Sequence, residues 1–274
     1  MGTKTDMTWE QAVCWLRDQP HSEDLVRACY YDDPLLAAAQ RFLASTEWHA
    51  VRRLMPATRG TALDIGAGRG ISSYALAKDG WSVTSLEPDG SDIVGAGAIR
   101  ALQQSENLPI TVVENWGETL PFPDASFDLV YGRQVLHHAY DLQALCREAG
   151  RVLKPGGMFM ALREHVISKP GDVDVFRANH PLHRLYGGES AFLLSQYRGA
   201  IAGGGITLDH VFNPYESDIN LFPTTMEHVK ARIASRLKMP VQRLIPNAVL
   251  SLLGAVSRNP GRLYSFVGHK GAHG

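Results

Sequence analysis

The 274-residue chain carries 27 Lys and Arg against 28 Asp and Glu, a net charge of −1, with 45% apolar residues. That length accommodates one large α/β domain with a cap. The charge balance provides no field for steering nucleic acid, so no nucleic-acid partner is expected.

Cys14, Cys29 and Cys146 have no metal-like spacing and fit a reducing, cytoplasmic setting. The segment Met1–Asp6 lacks the apolar core of a secretion signal. No apolar run is long enough to span a bilayer; the best candidate, Leu244–Val256, is interrupted by Pro246 and Asn247. Oligomeric state is left open.

In chain order, residues 1–55 read as an N-terminal helical cap. Trp9, Ala12, Val13 and Leu16 follow helical spacing, as do Leu35, Leu36, Ala39, Phe42 and Leu43. From 56 to 274 strands and helices alternate, the pattern of a parallel sheet covered on both faces. Strands are predicted at Ala62–Ile65, Ser82–Leu86, Ile110–Val113, Phe127–Tyr131 and Met158–Arg163, with helices at Ile71–Lys78 and Leu142–Leu153. The pair Gly95 and Gly97 reads as small residues where a helix packs closely on the sheet. Lys154-Pro-Gly-Gly157 ends the helix before the fifth strand.

Residues 165–190, rich in His, Pro and Gly, are expected to form a lid. A helix at Ser190–Ala202, a strand at Ile206–Phe212, helices at Thr225–Leu237 and Ile245–Val256 and a strand at Leu263–Val267 complete the chain. The expected fold is a doubly wound, mostly parallel, seven-stranded Rossmann-like sheet with an antiparallel last strand, and residues 213–260 form a helical insertion.

The most informative segment is Ala62-Leu-Asp-Ile-Gly-Ala-Gly-Arg-Gly70, a strand that breaks into a glycine loop and opens a helix. Asp64 sits where a dinucleotide would place its pyrophosphate. A carboxylate there repels phosphate and suits the ammonium and sulfonium of S-adenosyl-L-methionine. A nicotinamide-dependent oxidoreductase would want Gly-x-Gly-x-x-Gly, but position 71 is Ile.

At these residues the chain resembles class I S-adenosylmethionine-dependent methyltransferases. The resemblance continues through Leu86-Glu-Pro-Asp89, Glu118-Thr-Leu-Pro-Phe-Pro-Asp-Ala-Ser-Phe-Asp128, Val135-Leu-His-His138 and Arg151-Val-Leu-Lys-Pro-Gly-Gly157. It is closest to the small-molecule branch that holds the ubiquinone and menaquinone C-methyltransferases, and it implies a methyl transfer to a small-molecule acceptor. A non-catalytic, cofactor-binding partner subunit is the rival reading.

The resemblance assigns Asp64, Gly66, Ala67 and Gly68 to the methionine end of the cofactor, Glu87 with Pro88 to the ribose, and Gly132, Arg133 and Gln134 to backbone contacts with the methionine portion. Where the family has an acidic residue next to Ala, this chain has Asn115-Trp-Gly-Glu118. Asn115 is placed at the adenine, while Trp116 either stacks on that ring or packs in the core. Of Tyr30 and Tyr31 in the cap, one, Tyr31 the candidate, either meets the cofactor or packs within the cap.

At the exit of the fifth strand, Glu164 and His165 are candidate catalytic groups, His165 as a base. The lid stretch His180-Pro-Leu-His183 to Glu189 either lines an acceptor pocket, with His183, Tyr186 and Glu189 as candidate contacts, or is an exposed, solvated loop. His137 and His138 have no carboxylate or Cys in ligand spacing, so they read as structural and no metal is expected.

Overall fold

Thr8 opens the first helix, α1 (Trp9–Arg17), with a reciprocal cap: its hydroxyl accepts from the Gln11 amide at 3.2 Å, and the Gln11 side chain accepts from Thr8 N–H at 2.9 Å. Three short helices follow, α2 (Glu23–Ala28), α3 (Leu35–Leu43) and α4 (Thr46–Arg52), the last capped by Ser45. The computed structural model describes residues 7–236, 238 and 245–271. The expected features at Met1–Asp6, Leu237 and Leu244 lie outside the described residues.

The alternating half runs β1 (Thr61–Ile65), α5 (Ile71–Lys78), β2 (Ser82–Leu86), α6 (Ala96–Glu106), β3 (Ile110–Val113), β4 (Phe127–Arg133), α7 (Leu142–Val152) and β5 (Leu153–Ile167). After it come α8 (Asp172–Asn179), α9 (His183–Tyr186), β6 (Phe192–Leu193), α10 (Leu194–Gly203) and β7 (Ile206–Phe212). The chain closes with α11 (Asp218–Leu221), α12 (Met226–Arg236), α13 (Asn247–Val256) and β8 (Arg262–Lys270).

The sheet order is β3-β2-β1-β4-β5-β8-β7; β1 to β5 pair in parallel, and β8 runs antiparallel to both its neighbours. No helix among the described residues is long and apolar enough to cross a membrane.

Period-two alternation divides the strands between two cores. Ala62, Leu129, Tyr131, Met160 and Leu162 face one side; Leu63, Ile65, Val130, Phe159 and Ala161 face the other. The second side is covered by α7, whose Leu142, Leu145, Cys146, Ala149 and Val152 form one buried stripe. Each fully buried Leu or Val there stabilises by roughly 1.5–3 kcal/mol over exposure. The first side is covered by α5 and α6 together with α3 and α4: Phe42 and Trp48 are fully buried among sheet residues, and the Trp48 ring lies 6.2 Å from that of Tyr131. Residues 30–55 thus share a core with the sheet, while Leu16 of α1 and Val26 of α2 pack with Leu182 of the lid.

Three local expectations are corrected, and the 165–190 segment gains a definite structure. The fifth strand continues past Arg163 to Ile167, because Glu164, His165 and Val166 pair with Tyr264, Leu263 and Arg262 of β8. The helix expected from Ser190 starts at Leu194, since Phe192 and Leu193 are taken up as the short strand β6 against Val166 and Ile167. The lid is largely helical, built of α8 and α9. Gly95 and Gly97 approach the 89–92 turn instead of the sheet; a Cβ on them would stand 2.1 Å from Asp89 O and 2.0 Å from Asp92 Oδ1.

Candidate active site

Neighbouring strands β1 and β4 carry the chain away in opposite directions along the sheet, so their carboxyl ends form a crevice where α/β sheets bind ligands. A cavity of about 350 Å³ opens there, bounded by the glycine loop, Glu87, the turn after β4, the end of β5, and residues from α1, the α2–α3 connection and α9.

Gly66 and Gly68 meet different demands within the loop. Gly66 has φ +62°, and a Cβ there would lie 2.2 Å from Val135 Cγ2, so glycine lets β1 and the β4 turn approach. Gly68 has φ +53°, and its Cβ position faces open space, with only Val94 O near at 3.9 Å. Its N–H donates to Glu87 Oε2 at 2.7 Å, and Asp89 N–H donates to Oε1 at 3.0 Å. Both Glu87 oxygens are thereby oriented and keep lone pairs for a further donor.

Asp64 is 1% exposed and accepts from Ser73 Oγ at 2.6 Å, while Ser73 accepts from Ser85 at 2.6 Å. Burial, with the nearby charge of Glu87, pushes the Asp64 carboxyl up to about 7; burial also raises Glu87. Two carboxylates that resist ionisation in one cavity favour a cationic guest.

Ala67, Pro88, Asn115, Trp116, Arg133 and Tyr31 also line the cavity. Trp116 is 69% exposed on the rim, which removes the core alternative for that ring. Tyr31 meets Trp9 edge-on at 5.6 Å, and Trp9 lies 4.5 Å from Tyr186, so cap and lid touch over the cavity. The Arg133 guanidinium is paired with the buried Glu47 at 2.6 Å and 3.0 Å. Burial alone would lower its pKa, but Glu47 pulls it up.

Gly132 does not line the cavity; a Cβ there would meet Val135 Cγ1 at 2.6 Å. Its bareness accommodates the fold-back of the turn, a packing demand in place of the expected ligand approach.

The opposite wall depends on a bulge. Pairing between β5 and β8 shifts between Ala161 and Glu164, and Arg163 takes φ +61°. The three polar residues then diverge. Arg163 turns away and donates to the carbonyls of Ile219 at 2.6 Å and Phe222 at 3.1 Å. Glu164 is fully buried: it accepts from the N–H groups of Val135, Leu136 and His137 at 3.0–3.1 Å and from His137 Nδ1 at 2.7 Å. This carboxylate does not reach the cavity, so the expectation of Glu164 as a reacting group is corrected to one that holds His137 and its turn.

His165 does face the cavity; its Nδ1 donates to Gly261 O at 2.8 Å, which leaves Nε2 as an acceptor. Burial and neighbouring His137 push His165 down to about 3.

The lid supplies Tyr186 and Glu189, with Tyr186 O–H donating to Glu189 Oε1 at 2.5 Å. His183, although in the same stretch, does not line the cavity. His137 Nε2 stands 3.6 Å from Glu189 Oε2, and His180 Nδ1 stands 3.8 Å from Oε1. Burial would lower the His137 pKa, but its bond to Glu164 outweighs this and it rises to about 9; burial takes His138 down to about 4. The reading of His137 as lacking a carboxylate partner is corrected, because the fold supplies Glu164 and Glu189.

The family model described as "Methyltransferase domain" matches residues 63–161, the span that holds the glycine loop, Glu87 and the β4 turn. Residues 63–161 thus carry a methyltransferase domain, and its relatives support its being of the class I S-adenosylmethionine-dependent kind.

Among its relatives, the ubiquinone biosynthesis O-methyltransferase of Methylobacterium nodulans is 29% identical over 60% of this chain and 68% of the relative. The ubiquinone/menaquinone biosynthesis C-methyltransferase UbiE of Nitrobacter hamburgensis is 31% identical over 47% and 53%. The chain thus spans between about half and two thirds of the length of these relatives. An S-adenosylmethionine-dependent methyltransferase structure from Mesorhizobium loti superposes with a TM-score of 0.56 at 21% identity, covering 84% of this chain and 100% of that one. That likeness speaks for the fold.

Within the cavity, where Tyr30, Gln134 and His180 also stand, sequence reasoning missed Trp9 as a lining residue and treated His137 as structural. Trp9 read as one member of an apolar helical stripe, and nothing local marks which member reaches across to another element. His180 carried a signal, its place in a His-rich lid, but so did His183, and only the turn of α9 separates them.

Proposed function

We propose that the chain transfers a methyl group from S-adenosyl-L-methionine to a small polar acceptor bearing a hydroxyl or amine. The observation that carries this reading is the pair of buried carboxylates, Asp64 and Glu87, set on either side of a glycine loop whose Gly68 faces open space. Those residues fit the cofactor: Asp64 would hold its cationic methionine end, Glu87 the ribose hydroxyls, and Asn115 and Trp116 the adenine. When bound, the cofactor supplies a methyl group already activated on a sulfonium.

The protein's own work is then alignment and exclusion of water. Holding two reactants in register is worth roughly 7–11 kcal/mol. Trp9, Tyr31 and Tyr186 close one side of the cavity. His165 Nε2 accepts a hydrogen bond from the acceptor and orients it. A group titrating near 3 holds a proton poorly at neutral pH, so His165 acts chiefly by position. The imidazoles and Glu189 on the acceptor wall support a hydroxylated acceptor over an extended hydrocarbon. The unbridged cysteines support a reducing, cytoplasmic setting.

Calorimetric titration with S-adenosylmethionine, S-adenosylhomocysteine and NAD tests the reading, followed by a screen of hydroxylated and amine acceptors for S-adenosylhomocysteine release. Binding of the first two without NAD, and acceptor-dependent release, is expected. Tight NAD binding without affinity for the methyl donor would overturn it. Binding without release across the screen would favour a cofactor-binding partner subunit.

A further inference from the structure

On the wall opposite the glycine loop, His137, His165 and Glu189 each place one potential ligand atom within 4.8 Å of the others. Their free atoms can be named. Glu164 takes the Nδ1 proton of His137 at 2.7 Å, and Gly261 O, which can only accept, takes that of His165 at 2.8 Å. His165 therefore offers an Nε2 lone pair, and His137, held protonated between Glu164 and Glu189, offers one when an incoming cation displaces its Nε2 proton toward solvent. Tyr186 O–H occupies Glu189 Oε1, and Oε2 is left buried without a hydrogen-bond partner among the described residues. His180 Nδ1 is likewise buried and unpartnered, 3.8 Å from the same carboxylate.

Unpaired buried polar atoms converging on one point are costly unless something satisfies them. Nitrogen and oxygen ligands about 2.0–2.2 Å from a tetrahedral ion stand roughly 3.3 Å apart. The His137 Nε2 to Glu189 Oε2 separation of 3.6 Å is close to that spacing. The carboxylate and carbonyl behind the two imidazoles are the usual means of fixing a metal-binding tautomer.

We propose that His137 Nε2, His165 Nε2 and Glu189 Oε2 bind a divalent first-row transition ion, with His180 at the margin and an open position facing the cavity that takes over from His165 Nε2 the contact with the acceptor. Two imidazoles and one carboxylate suit zinc, cobalt, iron or nickel and disfavour magnesium, which prefers all-oxygen octahedral surroundings. The binding of the ion does not rest on the methyl-transfer reading, and the two are measured separately.

The test uses the full chain, stripped with chelator and dialysed, then titrated with Co²⁺ by visible absorption and with Zn²⁺ by calorimetry and competition. One ion per chain is expected, with Mg²⁺ giving no signal. His165→Ala and Glu189→Gln should each weaken binding by at least about 100-fold, and Glu164→Gln by roughly 10–100-fold. His183→Ala, whose ring lies off the cavity, should leave metal affinity unchanged. Circular dichroism and S-adenosylmethionine titration of the same variants separate loss of the ion from loss of the fold. Absence of saturable one-to-one binding of either ion, or unchanged affinity in the folded His165→Ala/Glu189→Gln double variant, would overturn the proposal.

Discussion

The two walls of the cavity are built in opposite ways. On the cofactor wall, Asp64, Gly66 and Gly68 lie within one strand-loop segment, and Glu87 reaches that loop by one hydrogen bond from the next strand. On the histidine wall, His137 meets a carboxylate 27 residues away, and that carboxylate is aimed by a bulge that exists only because β8 pairs with β5. Glu189 then comes from beyond α9. A wall made from contiguous residues is insensitive to distant packing, while one assembled from three remote segments depends on it.

The largest expected effect bears on what joins the walls. Glu47 on α4 is fully buried, pairs with Arg133 at the end of β4, and lies 3.8 Å from Arg163 at the bulge. Glu47→Ala would leave a buried guanidinium without its counter-charge and should cost about 3–5 kcal/mol in urea unfolding. A loss below about 1 kcal/mol would show that the walls are held independently of this clamp.

Next in size, Asp64→Ala and Glu87→Ala should each weaken S-adenosylmethionine binding by roughly 1–3 kcal/mol, the range for charged hydrogen bonds. His165→Ala should lower turnover while leaving that affinity within about twofold. Equal losses of cofactor affinity at Asp64 and His165 would erase the distinction between the walls.

The pH dependence sharpens the same point. Asp64 titrates near 7 in the free protein, and its ionised form is the one that attracts a cation. Lowering the pH through 7 protonates it, so cofactor affinity should fall by up to about tenfold per pH unit below 7 and stay flat on this account above it. Calorimetry of wild type against Asp64→Asn checks this; a slope that survives in the variant would assign it to another group.

Smaller still, Gly68→Ala meets open space and should cost only the strain of a positive φ, about 1 kcal/mol by chemical denaturation. Gly66→Ala should cost more, because Val135 must move as well. Smallest of all, His183→Ala should shift stability by no more than about 0.5 kcal/mol, as expected for a residue off the cavity.

Legibility in the sequence followed the same division. Strands, the glycine loop, α7 and the acidic residue after β2 could be read directly, because hydrophobic periodicity and the steric freedom of glycine are local properties. Gly132 misled because a bare backbone looks alike whether it faces a ligand or a returning Val135. Glu164 misled because its place beside His165 said nothing of the bulge that sends the two side chains different ways. His137 and His138 misled because a missing partner within the segment is not a missing partner in space.

Local chemistry alone determined where the sheet would lie, where its first loop would open, and which carboxylates would guard it. Those features follow from residues within a few positions of one another, whose backbone preferences and burial act before any long-range pairing. Tertiary structure decided which imidazoles meet which carboxylates and that cap and lid touch through Trp9 and Tyr186. These meetings depend on β8 inserting beside β5 and on the chain returning through α9, and no local interaction reports on either.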